Sequence, residues 1–210
     1  MRLLLFSDLH TDLAAAASIV ERSADFDAVI GAGDFAVKRR GLAGIMHVLA
    51  AIETPAVLVP GNGESADELS AACREWPAAR VLHGEGADIG GVPFFGLGGG
   101  VPVTPFGAWS YDFTEDEARG LLSTCPEGAV LVSHSPPLGH ADADGTGRHM
   151  GSAAVLETIE RTHPRLVVCG HIHGSWGAVS RAGETPVVNA GPGGVEWRLE
   201  SREMPRNPVD

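Results

Sequence analysis

Five short runs of apolar residues, each closed by a polar residue or a glycine, constrain the fold of this chain most strongly. They are nearly continuous in Val, Leu and Ile, as expected of strands buried on both faces of a sheet. The runs are "RLLLFSD" (2–8), "DAVIGAGD" (27–34), "PAVLVPGN" (55–62), "GAVLVSH" (128–134) and "RLVVCGH" (165–171). Helical patterns separate them at 13–24, 42–52, 65–76, 115–124 and 152–162. This alternation predicts an α/β fold.

Two further regions, 80–97 and 177–198, alternate like hairpin strands and contain the turn signals "GG" and "AGE". They favour a sandwich of two sheets flanked by helices over one open parallel sheet. The segments 101–114 and 136–151 are rich in Pro, Gly and Asp, and we expect them to be loops beside a site. We expect one domain over residues 1–200 and a flexible, polar C-terminal tail at 201–210.

The charge balance and the apolar pattern disfavour several classes of partner. The chain has 15 basic and 27 acidic side chains, a net charge of −12, which argues against long nucleic acid as a partner. The first apolar stretch is too short for a signal-peptide core, and no stretch approaches the length of a membrane span. Three cysteines without a CxxC pair fit a reducing compartment. We therefore expect a cytoplasmic protein with no membrane partner, and the sequence leaves a homo-oligomer open.

The side chains that close the five runs are all imidazoles, carboxylates or amides. They are Asp8, His10, Asp34, Asn62, His134, His171 and His173. The carboxyl ends of neighbouring strands in α/β folds converge on the edge where ligands bind. A polar strand end that meets water would explain any one of these residues. Burying all seven together is costly unless a cation neutralises them, so the set predicts a metal site.

The ligand types narrow the choice of metal. Oxygen and imidazole donors without thiolate suit manganese, iron, zinc, nickel or cobalt. Seven donors exceed one tetrahedral site, whereas two ions about 3.5–4 Å apart that share a carboxylate would use them all. We expect two divalent ions, with manganese as the first choice.

Five sequence blocks in a fixed order resemble the calcineurin-like metallophosphoesterases. The blocks are "SDLHTD" (7–12), "GAGD" (31–34), "PGN" (60–62), "SHSPP" (133–137) and "GHIH" (170–173). The resemblance implies a four-layer αββα sandwich of two mixed β-sheets flanked by helices, with a dinuclear metal centre. It implies that Asp8, His10 and His173 hold one ion, that Asn62, His134 and His171 hold the other, and that Asp34 bridges them. A hydroxide between the ions would then attack phosphorus in line.

The chain departs from the family pattern at one position. The family usually reads G-N-H followed by Asp or Glu, whereas this chain reads Gly61, Asn62, Gly63 and Glu64. The missing imidazole contacts the phosphoryl oxygen or protonates the leaving group in relatives, and general acid catalysis contributes roughly 10²- to 10⁴-fold. We therefore expect a slow enzyme or one that has recruited a substitute acid. If Gly63 limits the chemistry, Gly63→His should accelerate turnover, although glycine also admits backbone angles denied to His. We expect Glu64 to cap the following helix rather than to bind metal.

The loop at 136–152 offers substitutes for the missing group. His149 is the first candidate for a catalytic or substrate-contacting residue, because imidazole titrates near neutrality. Arg148 could hold a phosphate through a bidentate contact, and His140 is a weaker candidate. Each of these is also consistent with a solvated loop residue. The basic run "KRR" (38–40) could face the substrate or simply be solvated.

Two other functions compete with a phosphoesterase. The run "VIGAGDFA" (29–36) contains the start of a dinucleotide fingerprint, but the next strand ends at Asn62 where that fingerprint requires an acid. A non-catalytic nucleotide-binding scaffold on the same fold stays open, and Gly63 alone favours it. We expect a phosphoesterase that acts on a small phosphodiester or nucleotide. Monoesters, nucleotide anhydrides and phosphoproteins remain open as substrates.

Overall fold

The computed structural model describes residues 1–200 of the 210-residue chain. The strands of this part are β1 Arg2–Phe6, β2 Ala28–Gly31, β3 Ala56–Leu58, β4 Ala79–Val81, β5 Glu85–Ile89, β6 Val92–Leu97, β7 Val130–Ser133, β8 Leu166–Cys169, β9 Val179–Ala182, β10 Thr185–Asn189 and β11 Val195–Arg198. The helices are α1 Leu13–Ser23, α2 Leu42–Leu49, α3 Ala66–Ala72, α4 Glu115–Leu122 and α5 Ala153–Thr162, with a short 3₁₀ turn at His173–Ser175. The tail predicted at 201–210 lies outside the described residues.

The strands form two mixed sheets. The first has the order β11-β1-β2-β3-β4, with β1 to β4 parallel and β11 antiparallel to β1. The second has the order β5-β6-β7-β8-β10-β9, with β5 and β9 antiparallel to their neighbours and the four central strands parallel. The parallel strands are joined by crossovers that place helices on the outer face of each sheet.

Three apolar layers hold these elements together. Because side chains alternate along a strand, neighbouring residues of one strand pack into different layers. Leu3 and Leu5 of β1 pack between the sheets against residues such as Val130 of β7. Leu4 and Phe6 point the other way, into the layer shared with α1, α2 and α3. A third layer joins the second sheet to α4 and α5. The expected four-layer αββα sandwich of two mixed sheets is confirmed.

The two regions predicted as hairpins each contribute more than a hairpin. β5 and β6 pair around Gly90 and Gly91, whose φ angles of 61° and 79° need glycine, and β9 and β10 form the second hairpin. β4 pairs in parallel with β3, and β11 pairs with β1 in the first sheet. Alternation within a strand does not tell which sheet receives it, so these two pairings were not predicted.

Helix capping corrects one expectation at the site. The side chain of Ser65 accepts a hydrogen bond from the backbone N–H of Glu68, and the Glu68 carboxylate accepts one from the backbone N–H of Ser65, which makes Ser65 the N-cap of α3. The capping role expected for Glu64 is therefore wrong. α2 and α3 also end several residues earlier than the helical patterns indicated. None of the helices within residues 1–200 is long and apolar enough to cross a membrane.

Candidate metal centre

The carboxyl ends of β1, β2 and β3 in one sheet meet those of β7 and β8 in the other. Asp8 and His10 follow β1, Asp34 follows β2, Asn62 follows β3, His134 follows β7, and His171 and His173 follow β8. The fold thus brings all seven predicted ligands to one edge, as expected for a ligand site in a layered α/β fold.

The first group of donors is Asp8, His10 and His173. Their ligand atoms lie within 4.8 Å of one another. The Nε2 atoms of His10 and His173 are 3.0 Å apart, and Asp8 Oδ1 lies 4.0 Å from the former and 3.9 Å from the latter. These are separations that one cation in the middle could bridge.

The second group surrounds His134. Its Nε2 lies 3.2 Å from Asn62 Oδ1, and its ring centroid is 4.9 Å from that of His171. Asp34 lies between the two groups, because its Oδ1 is 3.5 Å from His134 Nε2 and its Oδ2 is 3.7 Å from His10 Nε2. A bridging carboxylate needs this placement.

Four of the seven residues have a left-handed backbone. The φ angles are 54° for Asp8, 44° for His10, 56° for Asp34 and 65° for His171. Such conformations are uncommon for residues other than glycine and cost of order 1–3 kcal/mol each. They cluster at functional sites, and here they turn the side chains after three different strands toward the same point.

Hydrogen bonds outside the cluster fix how the imidazoles face it. His134 Nδ1 lies 2.7 Å from the carbonyl of Ala32, and His10 Nδ1 lies 3.4 Å from the carbonyl of Ala36. A carbonyl accepts only, so the proton belongs on Nδ1 in both rings and the Nε2 lone pair faces the cluster. This is the tautomer that binds a metal through Nε2.

The carboxylate of Asp8 is held on its far side. Its Oδ2 accepts hydrogen bonds from the Ser7 hydroxyl at 2.5 Å and from Trp176 Nε1 at 3.3 Å. Its Oδ1 accepts one from the backbone N–H of His171 at 3.0 Å. The Trp176 ring also packs on His173, with centroids 4.3 Å apart. Trp176 therefore orients two proposed ligands, and a lone Trp in a turn gave no sequence signal for that role.

The amide of Asn62 is oriented by the loop at 98–114. Its Nδ2 donates to the Ser110 hydroxyl at 2.9 Å, and that hydroxyl donates to Asp112 Oδ1 at 2.7 Å. Because the N–H₂ group is engaged, Oδ1 faces His134 and the site. The sequence placed this loop beside the site, but it did not single out Ser110 or Asp112, which follow no spacing rule.

The electrostatics of the cluster favour a bound cation. Burial, together with the charge of Asp34, raises the pKa of Asp8. Burial and the charge of His134 lower the pKa of His171 to about 3, so that imidazole is neutral. Burial also lowers the pKa of His134, but the charges of Asp34 and Asp8 outweigh it and the pKa is raised overall. A divalent cation would neutralise both carboxylates and use the neutral imidazoles as donors, so the residues present fit one.

Gly63 is required by a close approach of two backbone segments. Its N–H donates to Asp34 Oδ1 at 2.7 Å. A Cβ at this position would lie 2.8 Å from the carbonyl oxygen of Ala36 and 3.2 Å from Asp34 Oδ1, so one of the segments would have to move. This contact weighs against the expectation that Gly63→His accelerates turnover.

Glu64 is fully buried beside the cluster, and its carboxylate serves the backbone. It accepts hydrogen bonds from the N–H groups of Gly61 at 2.7 Å, Ala36 at 2.9 Å and Phe35 at 3.3 Å. Burial and the charge of Asp34 raise its pKa to about 7. Glu64 thus joins the segments that carry Asp34 and Asn62. The sequence shows that an acidic residue follows "GNG", but it does not indicate that this residue is buried.

Two of the three residues suggested as catalytic substitutes, His149 and Arg148, lie away from the cluster. His149 Nδ1 is 2.6 Å from Asp142 Oδ1, and its side chain is 56% exposed. Arg148 is exposed, and its backbone N–H donates to Asp144 Oδ1. Neither lines the cavity over the seven predicted ligands. Their catalytic roles stay predictions that this geometry does not favour, because His149 is turned toward the buried Asp142.

A cavity of about 550 Å³ opens above the cluster. Its floor carries His10, Asp34, Asn62, His171 and His173. A larger cavity of about 770 Å³ lies between α5 and the β9–β10 hairpin, but none of the seven clustered residues lines it. The smaller cavity is therefore the candidate substrate site, since five of the seven predicted metal ligands line it.

Comparisons with known proteins bear on the family and the fold of this chain. The profile of the calcineurin-like phosphoesterase superfamily domain matches residues 1–204. The human metallophosphoesterase domain-containing protein 1 is 37% identical over 95 residues, which are 41% of this chain and 29% of that protein. The chain covers between 15% and 36% of the length of the curated relatives that it matches.

Two solved structures share the fold. The protein TT1561 of Thermus thermophilus superposes with a TM-score of 0.73 at 20% identity, over 91% of this chain and 90% of that one. A dimetal phosphatase from Danio rerio superposes with a TM-score of 0.57 at 14% identity, over 91% and 88%. At these identities the likeness establishes the fold alone.

Proposed function

Because this chain belongs to the calcineurin-like phosphoesterase superfamily, we propose that it is a dinuclear-metal-dependent phosphoesterase that hydrolyses a small phosphodiester or nucleotide. The position of Asp34 supports this most directly. Its two oxygens lie 3.5 and 3.7 Å from imidazoles of the two donor groups, so one carboxylate could join two ions. Two divalent ions held there, with manganese as the first to test, would polarise the phosphoryl oxygens and supply a nucleophilic water.

The ligand set follows the two groups. Asp8, His10 and His173 would hold one ion, Asn62, His134 and His171 would hold the other, and Asp34 would serve both. The backbone strain and the outer hydrogen bonds fix these side chains before substrate arrives, so little reorganisation accompanies binding.

Apart from Asp144, whose pKa is lowered by hydrogen bonds from Thr146, the described residues that line the cavity supply no separate acid for the leaving group. Within residues 1–200, the imidazoles that line the cavity are His10, His171 and His173, all proposed as ligands, and no Lys, Arg or Tyr lines it. Without a proton donor, the rate should depend steeply on the acidity of the leaving alcohol. Nitrophenyl esters should therefore react much faster than alkyl esters.

The test is Asp34→Asn, measured by metal content and by hydrolysis of bis(4-nitrophenyl) phosphate with manganese. We expect two ions per chain and turnover in the wild type, and less metal and no turnover in the variant. Asp25→Asn, an exposed carboxylate after α1, is the matched control and should match the wild type. Full activity of Asp34→Asn with two bound ions would refute the assignment. A wild type that binds two ions but cleaves neither diesters nor monoesters would favour a non-catalytic scaffold.

A further inference from the structure

We propose that the rings of Phe106 and Trp109 form a platform that binds an aromatic ester group of the substrate, and that this platform determines which phosphodiesters the enzyme accepts. The inference rests on the proposed function, since it names the substrate class of the same site. The platform lies in the loop between β6 and α4, which also carries Ser110.

The two rings stack on one another at the wall of the cavity. Their centroids are 5.6 Å apart and their planes differ by 11°, an offset stack in which each ring keeps one face that the other does not cover. Both rings line the cavity whose floor holds the proposed metal ligands. A phosphorus at the metals would therefore place its ester groups within reach of the platform.

Phe106 of the platform and its apolar neighbours are exposed, whereas Trp109 is half-buried. Phe106 is 51% exposed, Val103 57% and Met150 38%, and all three line the same cavity. Scattered apolar side chains on a surface need no explanation, but several that converge on one cavity with polar groups at its floor indicate a ligand site. Aromatic rings offer a large, rigid contact to another ring at little entropic cost.

The basic run left open by the sequence holds the platform in place. Arg39 Nε donates to the carbonyl oxygen of Trp109 at 2.9 Å, and Arg39 is itself paired with Glu68. The ammonium of Lys38 lies 5.7 Å from the centroid of the Trp109 ring. Arg39 and Lys38 thus brace Trp109 from outside the cavity, and a braced surface loses less entropy on binding.

The charges of the cavity oppose an anionic extension of the substrate. Within the described chain, no Lys or Arg lines it, and Asp144 stands at its wall. Hydrogen bonds from Thr146 lower the pKa of Asp144, so its carboxylate is ionised near neutrality. Two divalent ions would suffice for one phosphoryl group, but no side chain among the lining residues is placed to hold a second anionic group. The ester group that fits is therefore neutral, apolar and aromatic.

The test measures binding, so that it does not depend on turnover. Calorimetry on the manganese-loaded full chain would compare phosphonate monoesters of equal charge: methyl, cyclohexyl and phenyl methylphosphonate. Because stacking of a ring on an aromatic side chain is worth about tenfold or more in affinity, we expect phenyl to bind roughly tenfold tighter than methyl, with cyclohexyl between them. 2-Carboxyethyl methylphosphonate, which carries a second anion, should bind more weakly than phenyl.

Variants assign the preference to the platform. Phe106→Ala and Trp109→Leu should each reduce the phenyl preference, measured as the ratio of phenyl to methyl affinity in the same protein, to about threefold or less. Phe106 is largely exposed, so its truncation opens no core cavity. Val179→Ala, a 56% exposed residue of β9 that does not line the cavity, is the control and should keep the full preference.

Several results would overturn the inference. They are equal binding of phenyl and methyl esters, cyclohexyl binding as tightly as phenyl, tighter binding of the carboxyethyl ester, or a phenyl preference that survives both variants. Failure of the proposed function looks different. A metal-loaded wild type could hydrolyse no ester and still keep a phenyl preference that depends on Phe106. That result would refute the proposed catalytic function and support the binding platform.

Discussion

Glu64→Ala is expected to lower the free energy of unfolding by about 3–5 kcal/mol. The buried carboxylate accepts hydrogen bonds from the N–H groups of Gly61, Ala36 and Phe35 at 2.7, 2.9 and 3.3 Å. Truncation leaves three buried donors unpaired, at about 1–3 kcal/mol each. The Phe35 bond is long and counts least, and release of a desolvated carboxylate offsets part of the loss, which places the expected value low in the summed range.

Glu64→Gln is the finer perturbation. Glu64 Oε1 accepts from both Gly61 and Phe35, whereas Oε2 accepts from Ala36 alone. An amide can keep its oxygen toward the first two donors, but its N–H₂ then faces the N–H of Ala36. About one hydrogen bond is lost and one donor is left unpaired, so we expect a loss of about 1–3 kcal/mol. Glu75→Ala removes an exposed carboxylate that follows α3 and should stay within about 0.5 kcal/mol of the wild type.

The assay is urea unfolding of the metal-free proteins, followed by circular dichroism, with a common slope required before midpoints are compared. The expected order of stability is wild type and Glu75→Ala, then Glu64→Gln, then Glu64→Ala. A Glu64→Ala protein within about 1 kcal/mol of the wild type, no more than the cost of one unpaired donor, would refute the inference that this carboxylate joins the two segments. Manganese titration adds a functional readout, because those segments carry Asp34 and Asn62 and should bind metal more weakly in Glu64→Gln.

Three shorter predictions concern the same site. Gly63→His and Gly63→Ala should lower diester turnover, because a Cβ there meets the Ala36 carbonyl oxygen at 2.8 Å; a faster Gly63→His enzyme with full metal content would contradict that contact. Ser110→Ala should weaken manganese binding by roughly 10- to 100-fold, as loss of a hydrogen-bond partner of a metal ligand typically does. Ser123→Ala, at the end of α4, is the control and should keep the wild-type affinity. An unchanged affinity of Ser110→Ala in calorimetry would count against the role of Ser110. Manganese should raise the melting temperature of the wild type, because it binds the folded cluster and not the unfolded chain, and the rise should be smaller in Asp34→Asn. The measurement is thermal unfolding with manganese and with a chelator. An equal rise in both proteins would argue against Asp34 as a ligand.

The sequence predicted the fold and the cluster because both follow from local patterns. Buried strands require continuous apolar runs, and the polar residue that ends each run marks where a strand leaves the core. Asp34 and His134 could therefore be assigned to one edge without knowing the pairing of the strands. Strand β4 shows the limit, since its three residues carry no signal for the partner they pair with.

The contacts that orient the ligands could not be predicted, because they depend on chain segments brought together by the fold. The hydrogen bond from Asn62 to Ser110 spans 48 positions of sequence, far beyond the reach of a local motif. The Trp176–Asp8 bond spans 168 positions. The platform of Phe106 and Trp109 lies in a segment predicted as a loop, where no periodicity marks which side chains face a cavity.

Gly63 and Glu64 together change how the missing histidine is understood. From the sequence, Gly63 removes an acid and leaves the rest of the site intact. In the fold, the same glycine lets the turn approach Asp34 and Ala36, and Glu64 fixes that approach through three backbone donors. The turn is therefore packed around glycine, and restoring an imidazole would disturb the segment that carries the proposed bridging ligand. Such a site can work without the histidine if its substrates have good leaving groups, which need no proton from the enzyme. This explanation is simpler than an acid relocated to His149.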